Sequence, residues 1–436
     1  MIQYLKSILA YLSLGRTPDS KLDLSLAVGS TVLRQTASGA LYLIALCITA
    51  RQLGPAHNGA LATVLLFPQM LFAFLNLGLG ASHVYHLSGG SGRQDRMRQT
   101  NWILAAALWT MVAVVLAISS QHIIASYLPG VEKNLALYAS LLFPMMLLAA
   151  WSSALIQGNR DYKGYNKIVL IQPSVFCSLV IILSVLNQLT VVSVVSCHIA
   201  SQASLWLMSE AKVNAVPPPL QQHPLALGAS LKYGLNAHFS NIITFLNYRM
   251  ALYLVSYSLG PAETGKYALS IQLAEMLWLI SSSASMIIFP ESAAHSKSPA
   301  ELGKMVKKVA NSVFQVTLAG ALLTAAVAPF AIPWIFGKEY QGAVLPFIIL
   351  LPGIAAWSYM SVLSNSLAGI GKQRINIQSA ALCLALTFAG DILAIPTLGT
   401  VGAALATTIA FCLTTLYVTA TYARIMNPQQ QTVDVR

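Results

Sequence analysis

Long apolar stretches dominate the chain, and short polar segments punctuate them. A helix that crosses a bilayer needs about 20 largely apolar residues. Twelve stretches meet that requirement, at 29–50, 59–87, 102–121, 134–157, 167–187, 190–211, 231–258, 264–289, 306–336, 342–369, 375–395 and 401–424. Those at 59–87, 231–258, 264–289 and 306–336 exceed the minimum, which predicts tilt or protrusion. Pro68, Pro144, Pro173, Pro329, Pro333, Pro346 and Pro352 fall inside these spans. Such breaks are tolerated where neighbouring helices or water satisfy the freed carbonyls, as in helices that line a cavity. The pattern predicts an all-α integral membrane protein of about 12 transmembrane helices.

Composition agrees. Hydrophobic residues make up 56% of the 436 positions, charged residues 9%, and the mean hydropathy is +0.67. Soluble domains carry about 25% charged residues, so this chain cannot cover its surface for water. Cys47, Cys177, Cys197, Cys383 and Cys412 lie within apolar runs at spacings that fit neither a zinc site nor a disulfide framework. No metal site is expected. The first 27 residues lack a cleavage site after their short apolar piece and do not read as a signal peptide. Ile2, Leu5, Ile8, Leu9 and Leu12 share a helical face, which predicts an interfacial helix within 1–28, with a cytosolic tail as the alternative.

Charge sets the orientation. With the amino terminus in the cytosol, only Arg51, Lys133, Lys266 and Lys338 fall on the outer face, and Arg34 and Arg249 lie inside spans; the other nineteen of the 25 Lys and Arg are cytosolic. That bias is the positive-inside pattern. It places both termini in the cytosol. It also assigns the +12 net charge to the anionic inner leaflet, not to nucleic acid.

The segment "LGPAHNGALA" (53–62) joins spans one and two, and "LGPAETGKYA" (259–268) joins spans seven and eight. Six spans lie between them, so both turns sit on the same, outer face. A weaker echo links "IQGNRDYKGYN" (156–166) to "LAGIGKQRIN" (367–376). The chain therefore reads as two six-helix lobes in a parallel repeat, 29–212 and 229–426. The linker at 213–228 contains a Pro run that cannot be helical, and a tail occupies 427–436. "SPAE" (298–301) predicts the capped start of a cytosolic extension of span nine. Duplicated lobes suit a transporter that rocks about a site between them.

Span seven is polar over more than half its circumference. His238, Asn241 and Arg249 lie on one flank, with Asn236, Ser240, Thr244 and Asn247 beyond the other. Such a helix cannot face lipid all round and is expected to line a hydrated cavity. Span one carries Thr31, Arg34, Gln35 and Ser38 in its first half. Arg249 lies about 15 Å of helix from the outer end, near mid-membrane, and Glu275 reaches similar depth on the next, antiparallel span. Two readings stand together: an ion pair that locks the hairpin, and a cation presented to an anionic substrate with Glu275 restraining it. Arg34 lies nearer the cytosolic end, where it can snorkel. Asp391, His198, His238 and Lys232 are weaker candidates, and Asp391 is expected near the outer end of its span. "SGGSGR" and "AGIGKQ" are not phosphate loops. Neither a hydrolase motif nor a Cys/His cluster is present, so no catalytic residue or cofactor is expected. Energy must come from a proton or sodium gradient, the substrate's own gradient, or a partner.

Four stretches carry a family resemblance: "ARQLGPAHNG" (50–59); "NYRMALYLVSYSLGPAETGKYALSIQLAEMLWLI" (247–280) with "FPESA" (289–293); "IFGKEYQGAVLPFIILLPGIAAWSYMSVLSNSLAGIGKQRIN" (335–376); and "IPTLGTVGAALATTIAF" (395–411). In these the chain resembles the Wzx-type lipid-linked oligosaccharide flippases, the polysaccharide-transport branch of a superfamily that includes multidrug antiporters and the lipid II flippase. The family often has an acid two positions after the span-seven arginine. Here Ala251 stands there, which leaves Glu275 as the nearby carboxylate.

The resemblance implies an undecaprenyl-diphosphate-linked repeat unit flipped from the cytosolic to the periplasmic leaflet of a bacterial inner membrane, for O-antigen, capsule or exopolysaccharide. It also implies a polymerase and a chain-length regulator as partners. Arg249, Arg34, Asn241, His238, Asn247 and Gln35 are the cavity candidates, and Glu275 and Asp391 the ion-pair or coupling candidates. A multidrug or organic-cation antiporter would want mid-span carboxylates that the amino lobe lacks, since Glu210 reads as cytosolic-edge. The lipid II flippases carry two further spans. An O-antigen polymerase or ligase would want a large periplasmic loop, whereas every outer connection read here is short.

Overall fold

The computed structural model describes residues 21–88, 93–129, 131–159, 161–214, 227–294 and 299–426. The interfacial helix near Ile8, the Pro run of the linker, Ser298 and the 427–436 tail lie outside them, as does the Lys232 side chain. Every described element is helical: α1 (Lys21–Leu75), α2 (Leu79–Ser88), α3 (Gln94–Ile118), α4 (Gln121–Tyr127), α5 (Lys133–Ser140), α6 (Leu142–Gly158), α7 (Tyr162–Val169), α8 (Ile171–Val185), α9 (Val191–Asn214), α10 (Leu227–Leu259), α11 (Pro261–Glu275), α12 (Trp278–Ala294), α13 (Pro299–Phe336), a 3-10 turn (Lys338–Ala343), α14 (Val344–Gly369) and α15 (Gln373–Met426).

Eight stretches are long and apolar enough to span a membrane by themselves. Two of these, Leu33–Leu75 and Gln373–Met426, break at Gly54 and Gly399, where φ is +68° and +58°. At about 1.5 Å per residue each can cross a ~30 Å hydrocarbon layer twice. With α10 and the α11–α12 pair, the described residues hold twelve membrane-length stretches.

Four spans are not single helices. The second breaks between Leu75 and Leu79, with positive φ at Leu77 and Gly78. The fourth restarts at Leu142, the fifth is α7 followed by α8 across Leu170, and the eighth breaks between Glu275 and Trp278. Pro144, Pro173 and Pro346 therefore sit in first turns, where the missing N–H had no intrahelical partner to lose. Pro68, Pro290, Pro329, Pro333, Pro352 and Pro396 occupy interiors of α1, α12, α13, α14 and α15. In the connection after α3, the added helix α4 is capped by Ser120, which accepts from the Ile123 N–H. The Lys133 ammonium donates to the Ala117 and Ser119 carbonyls at 2.7 and 2.9 Å, closing the end of α3.

The chain divides into two compact units: Met1–Leu53 with Ala60–Ile242, and Gly54–Gly59 with Ile243–Arg436. The division runs through α10, not through the 213–228 linker, because α10 continues unbroken from Leu227 to Leu259. In the first unit α6 is the central helix, packed on α9, α2 and α3. Its Phe143, Leu147, Trp151 and Leu155 are wholly buried. In the second, α14 holds that place against α15, α13 and α12.

The two Gly-Pro turns match in conformation. Gly54 has φ, ψ of 68°, 172° and Gly260 has 79°, 179°. That is a region open essentially to glycine alone. In each, proline opens the next helix. The two copies also pack on one another reciprocally, both inside the second unit. A Cβ on Gly59 would lie 1.7 Å from the Pro261 carbonyl oxygen, and one on Gly265 would lie 2.0 Å from that of Pro55. Only glycine permits helices so close.

Candidate functional site

The second unit holds a polar constellation within its helices. The Gly260 turn makes α10 and α11 an antiparallel hairpin and brings Arg249 opposite Glu275. Arg249 Nη1 donates to Glu275 Oε1 at 2.9 Å and to its neighbour's carbonyl, Tyr248 O, at 3.3 Å. The side chains keep 28% and 20% of their exposure, so the pair is neither sealed in the core nor free in solvent. Beside it lies a cavity of about 30 Å³, bordered by Asn247, Tyr248, Tyr267, Glu275, Trp278 and Thr407 among others. That is room for a single water. Aromatic rings stiffen this wall: Tyr248 and Trp278 have centroids 4.9 Å apart, and Trp357 and Phe411 4.4 Å.

Asn247 is buried and donates to the Ala380 carbonyl at 2.9 Å, with its own Oδ1 unbonded. It thus ties α10 to α15 as well as bordering the cavity.

Asp391 is buried inside the second unit. It is 0% exposed, and neither carboxylate oxygen has a hydrogen-bond partner among the described residues. The reason is the hairpin in α15. The break at Gly399 folds the helix back, and the arms meet where a Cβ on Gly402 would lie 2.3 Å from Ala394 O and one on Gly390 2.8 Å from the Ala406 Cβ. Asp391 follows Gly390 and is trapped in that contact. It interacts electrostatically with Tyr267, which also borders the cavity beside Glu275. The hydroxyls of Tyr267, Thr387 and Thr407 are likewise buried; those of Tyr267 and Thr407 face each other, and that of Thr387 faces the Cys383 thiol. These polar groups share one buried neighbourhood in the second unit. Sequence inspection missed Tyr267, Thr387 and Thr407. The i, i+4 spacing of Thr387 and Asp391 was the available signal.

In the first unit His238 is 4% exposed, and its Nε2 lies 2.9 Å from the Phe74 carbonyl. A carbonyl only accepts, so Nε2 carries the proton. Asn241, one turn on, is exposed. Arg34 Nε is buried without a hydrogen-bond partner, as are Gln35 Oε1 and Ser38 Oγ. His198 stacks on Phe176 at 4.1 Å.

Glu210 lies near the end of α9. It is buried, takes two bonds of 2.8 Å from Arg98 Nε and Nη2, and accepts from the Ser152 hydroxyl at 2.6 Å. Gln94 continues this network: it donates to the Val213 carbonyl at 3.0 Å and accepts from Asn159 at 2.6 Å. The array ties α3, α6 and α9 together and is fully paired, unlike Asp391. Among the described residues no three His, Cys, Asp or Glu cluster as metal ligands, and all five cysteines are free.

These features define a multi-pass, all-helical membrane protein with an exporter fold. Many solved structures share it, among them three transporters. Over 91% of this chain and 89% of its own, the lipid II flippase MurJ in an inward closed conformation aligns with a TM-score of 0.72 at 15% identity. An inward-facing multidrug resistance transporter of the MATE family aligns at 0.70 and 14% identity, over 91% and 98% of the two chains. A Pyrococcus furiosus transporter of the MOP superfamily, described as having a binding pocket of reversed polarity, aligns at 0.66 and 13%, over 92% and 96%. No curated protein matches in sequence. The chain belongs to the polysaccharide biosynthesis protein family, whose profile matches residues 48–345.

Proposed function

We propose that the protein is a flippase for undecaprenyl-diphosphate-linked oligosaccharide repeat units. It moves them from the cytosolic to the periplasmic leaflet of the bacterial inner membrane by alternating access, for O-antigen, capsule or exopolysaccharide. Membership of a polysaccharide biosynthesis family on an exporter fold supports the substrate class. The observation that carries the reading is Arg249. Its guanidinium sits within a membrane span, partly exposed, and spends only Nη1 on Glu275. The remaining donors suit a diphosphate, which guanidinium groups bind in charge-assisted, often bidentate fashion. Asn and Thr hydroxyl and amide groups nearby replace hydration of the sugar. No covalent chemistry is required.

Asp391 is the coupling candidate in this reading. An unpaired carboxylate in a core is costly unless a cation or a proton neutralises it, and the Tyr267, Thr387 and Thr407 oxygens are suitable companions for either. The same buried acid favours a second reading, a cation-exchanging antiporter of the same fold.

Deletion of the gene, with analysis of lipid-linked glycans and surface polymer, separates the two. Loss of polymer with single repeat units retained on the cytosolic leaflet is the expected result. Normal polymer with altered sensitivity to organic cations would transfer the assignment to the antiporter.

A further inference from the structure

A second cavity shares no bordering residue with the site at Arg249. It has a volume of about 370 Å³ and opens among the first turns of α13, the middle of α14 and the last turns of α15, all within the second unit. That size lies in the range of small-molecule clefts, ~300–1,000 Å³.

Its chemistry is divided. Leu363 and Met426 make an apolar floor and belong to the packed core of this unit, with Leu302 and Val306 beneath. Gly303 lets α13 and α15 pack closely at the floor, since a Cβ there would lie 3.0 Å from the Met426 Cβ. Lys304 and Lys307 stand at the mouth, three residues apart and therefore on one helical face. Both are exposed, and neither forms a salt bridge among the described residues. The Tyr422 hydroxyl is already bonded to Ser366 at 3.0 Å. Two unpaired ammonium groups over an apolar slot match an anionic head joined to a hydrocarbon chain.

The location narrows the occupant. Lys304 is five residues into α13 and Met426 is the last residue of α15, so the slot opens at helix ends. The Lys and Arg bias assigns those ends to the cytosolic side, and Lys308 and Arg424 flank them. Basic pockets between membrane helices at that level are suited to anionic lipid headgroups.

We propose that this slot binds one anionic phospholipid of the cytosolic leaflet, its phosphate held by Lys304 and Lys307 and the start of one acyl chain laid on Leu363 and Met426. The site is separate from the translocation site and is an addition to it.

The test uses the full-length protein in detergent, titrated with phosphatidylglycerol or with phosphatidylcholine of the same chains, with bound lipid counted by native mass spectrometry. Phosphatidylglycerol binds more tightly. The K304Q/K307Q variant weakens it about 30-fold, as expected for two basic side chains at an anionic surface, and leaves phosphatidylcholine unchanged. A423F, which fills the slot and spares both lysines, weakens both lipids. K308Q, outside the slot, changes neither. Equal binding of the two lipids, or an effect of K308Q as large as that of K304Q/K307Q, would overturn the site in favour of diffuse charge attraction. Displacement of phosphatidylglycerol by millimolar inorganic phosphate would make it a free-anion site, and tighter binding of undecaprenyl phosphate would make it a substrate-lipid site. Either of these also overturns the proposal.

Discussion

At the scale of single residues, the two acids of the second unit are prepared differently. Glu275 has a guanidinium at 2.9 Å, while Asp391 has no hydrogen-bond partner among the described residues. If Arg249 only locks a hairpin, removing both partners relieves the unpaired charge that either single change creates. The expectation here is the opposite. Arg249→Ala lowers surface polymer at least about tenfold at normal protein level, and Glu275→Gln lowers it less. The R249A/E275Q double variant stays as low as R249A. Recovery in the double variant would reduce the pair to architecture. For Asp391 the informative change is Asp391→Asn, which keeps the shape and removes the charge. It leaves the protein folded, with a melting temperature at or above that of the parent, and abolishes the dependence of export on the driving cation. Export that keeps its cation dependence in D391N would remove Asp391 from coupling. Arg249 and Glu275 were legible in the sequence because charge at matching depth in adjacent spans needs only helix arithmetic. Asp391 was not, because its burial depends on where the Gly399 break folds α15 onto itself.

At the scale of elements, the repeated turns separate two uses of glycine. Gly260 needs its backbone conformation, since φ is +79° and nothing lies within 4 Å of a Cβ there. Gly260→Ala should therefore cost about 1–3 kcal/mol through strain alone. Gly59 and Gly265 need space, and the same helix pair meets both of their contacts. Once one Cβ has pushed the helices apart, the second has little left to disturb. Gly59→Ala and Gly265→Ala each lower the melting temperature, and G59A/G265A lowers it by clearly less than their sum. Gly265→Ala with Gly260→Ala should come closer to additive, because strain and steric overlap arise at different atoms. Full additivity of G59A with G265A would show that the two contacts are independent. The sequence displayed the repetition of "LGPA" but not that the copies touch, because contact between distant segments leaves no trace in local periodicity. Helix breaks at Leu170 and between Glu275 and Trp278 were hidden for a related reason. The apolar pattern runs through them without interruption, and only packing decides where the ladder of hydrogen bonds restarts.

At the scale of the whole molecule, orientation is the property that composition reports most directly. The membrane acts on the chain through its charges as it inserts, so nineteen basic residues against four bear on topology without passing through tertiary structure. The twelve stretches were readable for the same reason, since hydrocarbon thickness sets their length. The prediction is made with reporters that work on one side only. Alkaline phosphatase fused after Lys133 or Lys338 is active, fused after Lys163 or Lys372 it is inactive, and a fluorescent protein fused after Arg436 is bright. The Lys133 and Lys163 fusions bracket α5 and α6, so opposite signals there also establish that this broken pair crosses once. Matching signals would mean that the restart at Leu142 is a re-entrant turn. The second copy of the Gly-Pro turn would then face the other side from the first, and the parallel repeat, with the flipping cycle built on it, would have to be abandoned.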